Sequence, residues 1–127
     1  MKIKASAEDY LEAILVLQKK NSRVRSVDIA NHFNFAKPTI SIIMKQFRDN
    51  GYVTMDNDRC IHLTEKGAEI AIRIHERHTV LSAVLMHIGV DEDTAYADAC
   101  KIEHNISETT FECIKNFYEK SARQPEA

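Results

Sequence analysis

The sequence predicts a mainly α-helical chain, with a winged helix-turn-helix in its first half and helices alone in its second. Three observations carry that expectation. Residues 26–47 form two short amphipathic segments around the turn Asn34-Phe35-Ala36-Lys37, residues 52–63 form two β-prone runs around Asp56-Asn57-Asp58, and beyond Thr64 only helical periodicity recurs.

The elements follow in order. Ser6 is placed to cap a first helix, with Glu8 and Asp9 in the turn where the helix dipole favours acids. Tyr10, Leu11, Ile14, Leu15 and Leu17 then give an apolar stripe to about Lys19. A short helix starts at Ser26, and Val27, Ile29, Ala30 and Phe33 are expected to pack against Ile40, Ile43, Met44 and Phe47 of the next. That second helix has Pro38 in its first turn, where a missing N–H costs nothing, and Gly51 as its C-terminal stop. Tyr52–Met55 and Arg59–Leu63 read as the two strands of a wing.

A long helix runs to about His87 and is stopped by Gly89; another is expected over Thr94–Ile106, and a last one from the Ser107-Glu108 cap to about Tyr118. The domain reading is 1–70 for the winged helix, 71–120 for a helical domain and 121–127 for a disordered polar tail.

With 127 residues, 44% hydrophobic and 28% charged, the chain can bury a core without disulfides. Cys60, Cys100 and Cys113 are odd in number and widely spaced, which argues against a disulfide framework and for free thiols. No apolar run reaches the length of a membrane span, and the start lacks a signal-peptide core, so a cytoplasmic protein is expected. Charge is uneven: residues 1–64 carry net +3 and residues 65–127 net −5, which suits a polyanion at the front and cations at the back.

Two sets of residues carry chemistry. The second helix of the helix-turn-helix presents Lys37, Pro38, Thr39, Ser41, Ile42, Lys45 and Arg48 at its start and outside its apolar stripe, and the wing adds Arg59. Cations and hydroxyls there suit phosphate and base-edge contacts in double-stranded DNA, while Ile42 offers only an apolar contact such as a thymine methyl. In the second half, Cys100, Glu103 and His104 stand at i, i+3 and i+4, so a helix would project a thiol, a carboxylate and an imidazole from one face. A first-row divalent ion needs further donors, and Asp9, Glu12 and His78 are the candidates. Taken singly, each has a bland alternative: first-turn carboxylates are commonly solvated, and free cysteines commonly behave as small hydrophobes.

Taken together, Glu8-Asp9-Tyr10-Leu11-Glu12, Pro38-Thr39-Ile40-Ser41, Asp58-Arg59, Arg77-His78, Ile88-Gly89-Val90-Asp91 and Ala99–Ser107 occur in an order and spacing that resembles the metal-dependent repressors typified by the diphtheria toxin repressor and the manganese transport regulator. The resemblance covers nearly the whole chain. It implies an N-terminal winged helix-turn-helix DNA-binding domain followed by an all-helical dimerisation domain, without the third, barrel-like domain of larger members. Asp9 and Glu12 match first-helix carboxylates of the manganese branch, and His78, Glu103 and His104 match ligands of both branches. Cys100 agrees with the iron branch, where the manganese branch has glutamate, and the iron branch's ancillary glutamate and histidine fall on Ser82 and Tyr96.

The resemblance thus implies a homodimeric repressor activated by Fe(II) or Mn(II), with one or two ions per subunit, acting on a pseudo-palindromic operator. A thiolate favours iron, zinc or cobalt, so Zn(II) or Co(II) binding in vitro is also expected. Val84, Ile88, Phe111, Ile114 and Phe117 are the expected dimer face. Two other readings stand beside this one: a metal-independent winged-helix regulator with a small-molecule effector, and a helical di-metal enzyme.

Overall fold

A computed structural model describes residues 5–123. Six helices and one two-stranded sheet follow in the order α1 (Ala5–Lys20), α2 (Ser26–Phe33), α3 (Lys37–Asp49), β1 (Val53–Met55), β2 (Ile61–Leu63), α4 (Glu65–His87), α5 (Glu92–Ile102) and α6 (Glu108–Arg123). The chain divides within α4 into two compact units, between Arg73 and Ile74.

The first unit is the winged helix-turn-helix. Its core gathers Leu11 and Ile14 of α1, Ile29 and Ala30 of α2, Ile40, Met44 and Phe47 of α3, and Val53 and Ile61 of the wing. Burying one such large side chain stabilises the fold by about 1.5–3 kcal/mol, so the apolar stripes of three short helices are enough to fix their packing. Two of those helices end in the same backbone device. At the end of α2, Asn34 takes the left-handed conformation (φ 58°), with Asn34 N–H donating to Asn31 O and Phe35 N–H to Ala30 O. Past α3, Gly51 (φ 80°) donates to Arg48 O and Tyr52 N–H to Phe47 O, while the rings of Phe47 and Tyr52 meet edge to face at 6.2 Å. Asn34 thereby sets the angle between α2 and α3, and Gly51 turns the chain from α3 into the wing.

The strands of the wing pair antiparallel, with Val53 opposite Leu63 and Met55 opposite Ile61. The wing is tied down from its base: Thr64 Oγ1 donates to Gly51 O at 2.6 Å and accepts from Gly67 N–H at 3.1 Å, so one hydroxyl both closes the hairpin and caps α4. Gly67 sits so close to the Tyr52 carbonyl that any Cβ would collide with it.

The second unit comprises the rest of α4 with α5 and α6. Asp91 caps α5, accepting from Thr94 N–H at 3.1 Å, and Thr94, through its side chain first and its amide next, holds the Asp91 carboxyl below the ordinary value; Ser107 Oγ caps α6 by accepting from Thr110 N–H. No helix among the described residues is long and apolar enough to cross a membrane.

Several expected boundaries shift. Helix α1 already includes Ala5, so Ser6 lies inside it rather than at its cap. Helix α5 runs over 92–102 instead of 94–106, because the Asp91 cap starts it early and the chain turns at Glu103. Helix α6 continues through residue 123, so the expected tail is helical over 121–123, and 124–127 lie outside the described residues. Tyr52, Arg59 and Cys60 are not in the strands; Arg59 sits in the wing loop with a left-handed backbone (φ 64°). Val27 is 42% exposed instead of buried, and Phe111, expected on a dimer face, is 1% exposed and belongs to the core.

Candidate metal centre and nucleic-acid interface

The face of α3 is set by its own periodicity. Ile40, Met44 and Phe47 are buried at i, i+4 and i+7, which leaves Lys37, Pro38, Thr39, Ser41, Ile42, Lys45 and Arg48 exposed on the opposite side. Ile42 is 61% exposed, an apolar residue in the middle of a cationic and hydroxylic face. A groove runs between this face, the start of α2 and the wing loop, and its lining includes Lys37, Ser41, Lys45, Arg48 and Arg59 from the expected set. It also includes Arg25 and Ser26. Arg25 and Ser26 were not singled out in the sequence. The signal was a cation immediately before a helix start, where backbone N–H groups already favour anions. Thr39 and Ile42 share the exposed face but do not line the groove.

The wing loop that presents Arg59 is organised by one carboxylate. Asp56 accepts from Asp58 N–H and Cys60 N–H, each at 2.9 Å, and its Oδ2 lies 2.8 Å from His62 Nε2. The His62 contact and then the Cys60 amide hold its carboxyl below the ordinary aspartate range. Arg59 N–H donates to Asp56 O, which closes the loop and explains its left-handed backbone.

In the second unit, three expected metal residues meet at one carboxylate. Glu103 is fully buried; its Oε2 lies 3.0 Å from His78 Nδ1 on α4, and its Oε1 lies 3.4 Å from His104 Nε2. Cys100 is exposed, one helical turn earlier on α5. Glu103 and His104 belong to the turn after α5 instead of its helix, which corrects the expectation of a single helical face. Glu103 nevertheless keeps helical dihedrals, and its N–H donates to Ala99 O at 2.9 Å, so its spacing from Cys100 is preserved. A buried carboxylate between two imidazoles, with a thiol one turn away, fits the donor preferences of a first-row divalent ion.

The first unit holds Asp9 and Glu12, both half-buried on α1. Next to them Glu8 pairs with Arg73 at 2.8 Å. Tyr10 fills the angle of the helix-turn-helix, its ring 4.8 Å from Phe33 and 6.4 Å from Phe47. Burial and the neighbouring Asp9 charge raise the Tyr10 hydroxyl pKa above its ordinary value.

A winged helix with a cationic recognition face, joined to a helical unit that surrounds a buried carboxylate with imidazoles, is the constitution of a metal-responsive transcriptional regulator. Residues 2–61 match the N-terminal DNA-binding domain of the iron-dependent repressors, and residues 64–127 match the metal-binding and dimerisation domain of the same proteins. The chain belongs to the iron-dependent repressor family, and by family it is a metal-dependent, DNA-binding transcriptional repressor.

An HTH-type transcriptional regulator of Methanocaldococcus jannaschii is 37% identical over 117 residues, covering 91% of this chain and 94% of its own. The transcriptional regulator MntR of Escherichia coli O6:H1 is 31% identical over 113 residues, covering 89% of this chain and 73% of its own. Among solved structures, the manganese regulator SloR superimposes with a TM-score of 0.78 at 25% identity, over 94% of this chain and 55% of that one. The chain thus spans about half the length of that solved regulator.

Proposed function

We propose that this chain is a homodimeric repressor whose effector is Fe(II) or Mn(II), and that it controls genes of metal homeostasis. The ion is held by Asp9, Glu12, His78, Cys100, Glu103 and His104, with room in that donor set for one or two ions per subunit. The observation that carries the reading is the buried Glu103 carboxylate, flanked by His78 at 3.0 Å and His104 at 3.4 Å. Taking an ionised carboxylate out of water costs several kcal/mol unless cations or donors surround it, so a buried acid with two metal-competent imidazoles favours a cation.

When bound, the ion would supply positive charge to the donor carboxylates of Asp9, Glu12 and Glu103. To turn a population from 1:99 to 99:1 in favour of the DNA-binding state, it must prefer that state by about 5.5 kcal/mol. The chain's own residues do the rest. In a dimer, two α3 faces address adjacent major grooves of a pseudo-palindromic operator, roughly 34 Å apart. Lys37, Lys45 and Arg59 neutralise phosphates, while Pro38, Thr39, Ser41 and Ile42 lie nearest the base edges. Ile88 and Phe117, 70% and 73% exposed, are the apolar residues offered to the second subunit.

The test is fluorescence anisotropy on a promoter fragment upstream of a metal transporter, with chelator, then Mn(II), anaerobic Fe(II) and Zn(II). Binding that appears only with metal supports the proposal, and the metal acting at the lowest free concentration is the effector. Equal binding under chelator overturns it in favour of a regulator with a small-molecule effector. Oxygen consumption or turnover with iron would instead indicate a di-metal enzyme.

A further inference from the structure

The residue before His78 reaches the same turn from the other side. Arg77 is 7% exposed, and its Nη1 donates to Glu103 O and to Ile106 O, each at 3.0 Å; its Nη2 donates to Glu108 Oε2 at 2.7 Å. Its guanidinium also stands 5.4 Å from the centre of the Phe111 ring. One planar fork thus fastens both ends of the turn 103–106 and the first residue of α6, while the neighbouring imidazole meets the Glu103 carboxylate.

Stability alone accounts poorly for this arrangement. A guanidinium is always charged, and burying it costs several kcal/mol that its partners must repay. Repayment is incomplete: Arg77 Nε has no hydrogen-bond partner among the described residues, and Glu108 is largely exposed, so solvent weakens that ion pair. An apolar side chain of similar length is the cheaper way to fill such a site. What an apolar side chain cannot do is hold two carbonyl oxygens in place. The Glu103 carbonyl lies at the end of α5, where main-chain acceptors lack helical partners and a cation is favoured, and the Ile106 carbonyl lies at the far end of the turn, just before α6. Glu103 and His104 stand in this turn, just past the last residue of α5.

We infer that Arg77 is a positioning residue for the metal centre, holding the Glu103–Ile106 turn so that Glu103 and His104 are pre-set to receive the ion. The inference rests on the proposed metal reading. Partners that orient ligands are worth about 10- to 100-fold in metal affinity, because without them the ion must order the ligands itself.

The test compares the full-length protein with Arg77→Met and Arg77→Lys. Mn(II) affinity is measured by electron paramagnetic resonance titration, with light scattering and the thermal midpoint of the metal-free protein alongside. Arg77→Met is expected to lose about 10- to 100-fold in Mn(II) affinity while remaining folded and in the parent's oligomeric state. Arg77→Lys keeps the charge but not the fork, and is expected to recover only part of that loss.

A folded Arg77→Met with parental affinity overturns the inference and leaves the metal reading standing; a lowered midpoint with unchanged affinity does the same, since it marks a purely structural arginine. If Arg77→Met does not fold, Arg77→Lys decides: weakened binding supports positioning, and parental binding overturns it. A parent protein that binds no Mn(II), Fe(II) or Zn(II) overturns both.

Discussion

His78 and Glu103 meet side chain to side chain, Nδ1 to Oε2 at 3.0 Å, while Arg77, one residue earlier on the same helix, holds the Glu103 backbone carbonyl at 3.0 Å. Two consecutive residues of α4 therefore specify both the position of Glu103 along the turn and the direction of its carboxylate. A helix places neighbours about 100° apart, so such a pair can grip a turn from two sides. Glu103 is common to the contacts made by His78, His104 and the Arg77 Nη1 bond at its own carbonyl, and the consequences of changing it are the sharpest.

Replacing Glu103 with Ala removes the carboxylate but leaves the Arg77 bonds to the backbone untouched. Metal-stimulated DNA binding is expected to vanish, with the response falling by more than about 100-fold as an essential ligand is lost. The dimer should persist. Anisotropy with and without Mn(II), paired with light scattering, checks both; an unchanged metal response would contradict the assignment.

On the recognition face, the cations and Ile42 should behave differently. Lys45→Ala and Arg48→Ala are each expected to weaken binding on every sequence and to reduce the salt-dependence slope by about 1. The Lys45–Asp49 pair, at 3.1 Å and exposed on both sides, is too weak to mask this. Ile42→Ala should leave the slope unchanged and relax preference at one base position. Salt titrations on specific and scrambled duplexes separate the two behaviours.

The wing is expected to loosen in acid. Asp56 has its pKa lowered in the folded protein, by the His62 contact first and the Cys60 amide next. A depressed carboxyl contributes stability that is full above the unfolded aspartate value, about 3.9, and is lost as pH falls through the lower folded value. Amide exchange of Asp58 and Cys60 should accelerate across that window. Asp56→Ala should show the fast exchange at neutral pH as well, and a few-fold weaker DNA binding because Arg59 is no longer held.

Two glycines should differ in their tolerance of alanine. At Gly51 a Cβ meets nothing, so Gly51→Ala pays only for its φ of 80°, about 1–2 kcal/mol. At Gly67 a Cβ collides with the Tyr52 carbonyl, which belongs to the backbone and cannot rotate away. Gly67→Ala must push α4 off the base of the wing, and is expected to be the more destabilising of the two in urea denaturation.

The sequence by itself determined the order of the elements and the buried and exposed faces of α3, and it nominated the candidate donor residues. These follow from short-range rules: a 3.6-residue stripe at Ile40, Met44 and Phe47, a proline at a helix start, and a thiol, a carboxylate and an imidazole at i, i+3 and i+4. Tertiary structure decided where those rules give way. Asp91 captures Thr94 N–H and starts α5 at Glu92, and the helix ends at Ile102, which leaves Glu103 and His104 on a turn. Arg77 was visible only as the neighbour of His78, because its three partners lie 26 to 31 residues away in the chain. Phe111 and Val27 exchanged their expected roles for the same reason. An apolar residue is buried or exposed according to what the fold lays against it, and no local pattern contains that information.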